Sequence, residues 1–131
     1  MSVELTMLAC SVALLFALIL VQATAAVRAQ GGKVLAGNRD NLAPPSVYEG
    51  RTRRLLYNHI EGLAMFAPLV LIAAVSHISN DMTVLGAQLF FYARVLFAFT
   101  YLIGVPYLRT LFWLVGIAGT VLIFLALFGM V

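Results

Sequence analysis

Residues 51–76 read RTRRLLYNHIEGLAMFAPLVLIAAVS. The stretch changes character halfway. Its first part holds Arg51, Arg53, Arg54, Asn58 and His59; from Ile60 to Val75 it is apolar except for Glu61. The apolar run alone is short for a hydrocarbon core about 30 Å thick, which a helix crosses with about 20 residues. The helix is therefore predicted to start earlier, at Pro45 or Ser46, with Glu49 favourably placed in its first turn. Its basic first turns then project beyond the membrane.

Three further apolar stretches are long enough to span. The four predicted spans cover about residues 5–27, 50–76, 83–103 and 108–130. Between the first two lies a polar segment from Arg28 to Arg54, punctuated by Gly31-Gly32, Gly37-Asn38 and Pro44-Pro45. A short polar turn, His77 to Asp81, separates spans two and three, and Gly104-Val105-Pro106 breaks three from four. The first span is preceded by Met-Ser-Val-Glu rather than a positive region. It is also longer than a secretory leader's apolar core, so Ala23 to Ala26 is read as helix and not as a cleavage site.

Composition agrees. The chain of 131 residues is 63% hydrophobic and 10% charged, and its mean hydropathy is +1.04. A soluble domain is nearer half apolar and a quarter charged. Residues 1–131 read as one domain, an all-α integral membrane four-helix bundle. The formal charge is +3, but no basic run with interleaved aromatics suggests nucleic acid. The single cysteine, Cys10, has no metal-ligand spacing around it and reads as a small packing or lipid-facing residue. The loop after span one and the turn after span three carry the basic residues, and the turn after span two carries none. The basic side is thus expected to be cytoplasmic, with both termini on the other side.

Ionisable side chains in a span cost about 2.5–3.5 kcal/mol each on insertion scales, which makes them the place to look for function. In span two, Arg51, Arg54, Asn58 and Glu61 are spaced three, four and three apart and share an arc of about 80°. In span three, Arg94, Phe97 and Tyr101 repeat the three-then-four spacing. Neither stripe can face lipid. One reading is a structural network, with Arg54 or Arg94 paired to Glu61. The charge count favours another. Arg28, Arg51, Arg54, Arg94 and Arg109 face one embedded carboxylate, Glu61, and the excess cations call for an anion from outside the chain. A small zwitterion with two carboxylates and one ammonium fits, since Arg captures carboxylates bidentately. His59 points about 100° away from Asn58 and is expected at an interface. Glu4, His77 and Asp81 are expected to be solvated. Trp113 and Tyr107 read as interfacial anchors, and Tyr48 and Tyr57 as anchors or ligand contacts.

Arg54-Leu-Leu-Tyr-Asn58-His-Ile-Glu61 resembles the Arg-x-x-x-Asn-x-x-Glu signature of the MAPEG family, the membrane-associated proteins in eicosanoid and glutathione metabolism. Arg94-x-x-Phe97-x-x-x-Tyr101, followed by Arg109, resembles that family's second element. The likeness covers nearly the whole chain and is nearest to the bacterial members. It implies a homotrimer in the bacterial inner membrane, with glutathione bound between subunits near the cytoplasmic side. It also implies that Arg28, Arg51, Arg54, Asn58, Glu61, Arg94 and Tyr101 form the glutathione site. Arg109 matches the arginine that stabilises the glutathione thiolate in catalytic members. Phe97 departs from the Tyr or His often found there and removes a hydrogen-bond donor. The activity implied is a transferase or peroxidase acting on a lipophilic electrophile or hydroperoxide. The alternative is a non-catalytic member that presents a fatty acid. A small drug–proton antiporter also has four spans, but it needs a carboxylate embedded in the first span, where this chain has only Glu4 at the edge.

Overall fold

The computed structural model describes residues 1–131. Five helices follow one another: α1 (Val3–Gln30), α2 (Gly32–Ala36), α3 (Val47–Val75), α4 (Asp81–Ile103) and α5 (Pro106–Leu127). There is no strand. All except α2 are long and apolar enough to cross a membrane, and they make this an integral membrane protein. Only 28 of 131 residues are buried within the chain. The outward faces are lined with residues such as Phe16, Leu71, Val75 and Phe99. Such a surface requires lipid as its solvent.

The helix ends follow local chemistry. Ser46 caps α3 by accepting from the Glu49 amide at 3.1 Å, as the polar lead-in predicted. Asn80 caps α4 in a reciprocal box with Thr83. Gly104, in the left-handed region at φ 84°, ends α4, and Pro106 opens α5. Helix α2 was not predicted. Around it, the Gln30 side chain donates to the Ala43 carbonyl and accepts from its amide, at 2.9 and 3.0 Å. Gln30 Nε2 also donates to Glu49 Oε2 at 3.1 Å. The long connection is thereby pinned to the entrance of α3.

Two small cores hold the bundle. One joins Leu18, Leu55, Phe97, Ala98 and Tyr101. The other joins Phe66, Val70, Ala87, Phe90 and Ile123, with the rings of Phe66 and Phe90 stacked 3.9 Å apart. Helices α4 and α5 approach closest at Gly86 and Gly119. A Cβ on Gly86 would lie 2.6 Å from the Gly119 carbonyl oxygen, so only glycine admits this approach.

Two expectations are corrected. Glu4 is not solvated: it is 3% exposed, accepting from Thr83 Oγ1 at 2.6 Å and Ser79 Oγ at 2.8 Å. His59 is not interfacial: it is 1% exposed, with Nε2 3.0 Å from the Ser11 carbonyl oxygen. Each is drawn inward by a partner on another helix.

Candidate functional site

Helices α3 and α4 run antiparallel, so the two polar stripes meet in reverse register. Arg51 on α3 donates to the Leu102 carbonyl at 3.3 Å. One turn on, Arg54 Nε donates to the Tyr101 hydroxyl at 3.2 Å. A further turn on, Asn58 Oδ1 accepts from Arg94 Nη1 at 2.6 Å. The stripes face each other over these turns, one of the arrangements that lipid exclusion allows, while Glu61 of the first stripe stays exposed.

Arg94 is the most buried of the cations, at 1% exposure. Its guanidinium lies 5.3 Å from the Phe90 ring centre and 5.7 Å from that of Phe97. The passage it occupies exists because residue 62 is glycine. A Cβ there would run into the guanidinium. Its Nε has no acceptor. Arg94 is thus held by one amide oxygen and two aromatic faces, a buried cation with no carboxylate within 4 Å.

In front of this pair lies an open groove of about 240 Å³ lined by Asn58, Phe97, Tyr101, Arg109, Thr110 and Trp113. Arg109, from the first turn of α5, places its guanidinium 4.8 Å over the Tyr101 ring. Tyr101 therefore has one arginine on its hydroxyl and another on its ring. Trp113, taken as an anchor, is a wall of this groove. Arg94 lies behind the wall and touches the groove through Asn58.

The remaining candidates are elsewhere. Arg28 shares a separate hollow of about 240 Å³ with Tyr48, Leu20, Val21, Thr24 and Ala25. Glu61 is exposed on α3 and has no cation within 4 Å. The chain has one ion pair, Arg53 with Glu49 at 3.0 Å. The five arginines of the charge argument are therefore all without a carboxylate partner, and the internal pairing of Glu61 with Arg54 or Arg94 is not formed.

Long apolar helices with a one-sided cluster of unpaired guanidiniums define a class: a polytopic all-helical membrane protein with its cations gathered toward one end. The chain belongs to the MAPEG family, whose model matches residues 7–129. That family includes glutathione transferases and peroxidases as well as non-catalytic members, and glutathione is its general cosubstrate. No curated protein and no solved structure matches the chain.

Proposed function

We propose that this protein is a membrane-bound glutathione-dependent transferase or peroxidase acting on lipophilic electrophiles or hydroperoxides. The observation that carries the reading is the convergence of Arg54 and Arg109 on Tyr101 beside an open groove, with no carboxylate within 4 Å of either. Fixed cations without a carboxylate within 4 Å suit the anionic groups of glutathione, its two carboxylates and its ionised sulfur. In this reading Arg51 and Arg54 take carboxylates and Asn58, steadied by Arg94, hydrogen-bonds the peptide. Glu61 takes the ammonium, and Tyr101 and Arg28 complete the site. Arg109 stabilises the thiolate: a guanidinium in a low-dielectric site favours the charged form of a nearby thiol. The thiol proton leaves to water. The sulfur then bonds to the electrophilic carbon as the leaving group departs with its electron pair.

A groove of about 240 Å³ is small for a ligand site, which usually measures about 300–1,000 Å³. Glu61, exposed on a membrane helix, also needs cover other than lipid. Both features fit a homotrimer in which a neighbouring subunit closes the site. The basic connections then lie on the cytoplasmic side of a bacterial inner membrane, where glutathione is supplied, while the second substrate enters from the lipid.

Thermal unfolding of the purified protein tests the reading. Glutathione at saturating concentration is expected to raise Tm by a few degrees, and Arg54→Ala to abolish the shift. Phe97, a groove wall with no donor, favours a second reading, the non-catalytic presentation of fatty acids. A shift with fatty acids and none with glutathione would establish that one instead.

A further inference from the structure

At the end of the bundle opposite the arginine cluster, a second polar site surrounds Glu4. The first turn of α1, the turn after α3 and the first turn of α4 enclose a cavity of about 290 Å³. Its polar wall is Ser2, Glu4, His77 and Ser79, and its apolar wall includes Leu5, Val70, Ala73 and Ala74. Glu4 is 3% exposed, yet only half of its carboxylate is used. Oε1 accepts from both Ser79 and Thr83. Oε2 is fully buried and has no partner.

Tying α1 to the start of α4 needs Oε1 alone, and an anion there suits the helix N-terminus. It leaves Oε2 unexplained. A buried carboxylate oxygen without a donor is costly, and a donor that also carries positive charge offsets most. The chain places none within 4 Å of Glu4, although His77 lines the same cavity. None of its eight Lys and Arg residues falls within 1–27 or 55–93, and no cation of any kind lies within 4 Å of Glu4. Asp81 adds a second negative charge at this end. His, Cys, Asp and Glu do not gather here in the threes that a metal ion requires.

We propose that the Glu4 cavity binds a primary ammonium group carried on an aliphatic tail, with an ammonium N–H donated to Glu4 Oε2 and the tail lying against Leu5, Val70, Ala73 and Ala74. The occupant comes either from the bilayer, as the ethanolamine head of a phospholipid, or from a free alkylamine. A quaternary choline head has no N–H to give and is excluded by the same geometry.

Thermal-shift titration of the full-length protein in detergent tests this with three probes: dioleoylphosphatidylethanolamine, dioleoylphosphatidylcholine and dodecylamine. The ethanolamine lipid or the alkylamine is expected to stabilise the protein and the choline lipid to have no effect. Stabilisation by the ethanolamine lipid alone assigns the bilayer as the source, and by dodecylamine alone the free amine. Glu4→Gln keeps an oxygen for Ser79 and Thr83 but loses the charge, and should weaken binding about tenfold. Ala74→Phe fills the cavity without touching the carboxylate and should have the same effect, so the test does not depend on one variant folding. Equal responses to the ethanolamine and choline lipids, no response to either amine, or unaltered binding in both variants overturns the proposal.

Discussion

Arg94 is the residue on which the polar end of the bundle turns. Its one hydrogen bond goes to Asn58, so removing that partner strands a buried charge. Asn58→Ala is expected to destabilise the protein by about 1.5–3 kcal/mol, read as a lowered Tm in detergent. Replacing both partners, Asn58→Leu with Arg94→Leu, should cost less than Asn58→Ala alone, because no unpaired charge remains. A double variant less stable than the single would contradict this account of the pair. The stripe containing Asn58 and Arg94 was legible in the sequence because helical spacing fixes which residues share a face. The sequence also correctly turned His59 away from Asn58, but not toward its destination. That direction meets the Ser11 carbonyl of α1, a neighbour that spacing along α3 does not reveal. Glu4 was misread for the same reason: its partners, Ser79 and Thr83, lie far along the chain.

Among the elements, the pairing of α4 with α5 depends on two glycines that differ from a third nearby. A Cβ at Gly119 would lie 2.8 Å from the Phe90 amide nitrogen and still closer to the Gly86 carbonyl oxygen. A Cβ at Gly116 would meet its nearest neighbours at an ordinary 3.7 Å. Gly119→Ala is accordingly expected to destabilise by about 1–3 kcal/mol, in the range of overpacked cores, while Gly116→Ala stays close to wild type. Thermal melts of the two variants side by side check this. The long helices could be read from their apolar runs, and their ends from Ser46 and from Gly104 with Pro106, because caps and breakers act locally. Helix α2 could not, since five residues between Gly31 and Gly37 are too few to show a helical period. Helix α5 also stops at Leu127, short of the expected Met130, with Gly129 at φ 64° just beyond.

For the whole molecule, the membrane setting followed from composition, because so apolar a chain cannot hide its surface within one subunit. The assembly did not follow, because it depends on a surface that one chain displays and another must cover. Exposed Glu61 and the small groove beside Tyr101 lead to the expectation that the protein purifies as a homotrimer, with native mass spectrometry giving three chains per particle. A monomer that binds glutathione with undiminished affinity would remove the neighbouring subunit from the site. In the proposed site the unpaired arginines hold glutathione with its sulfur ionised. The most direct test is an ultraviolet difference titration of the purified protein with glutathione at neutral pH. A thiolate band that grows to saturation is expected in the wild-type protein. In Arg109→Ala the band should be lost while Tm still responds to glutathione. A wild-type protein that binds glutathione without a thiolate band, or a band unchanged in Arg109→Ala, would contradict this assignment.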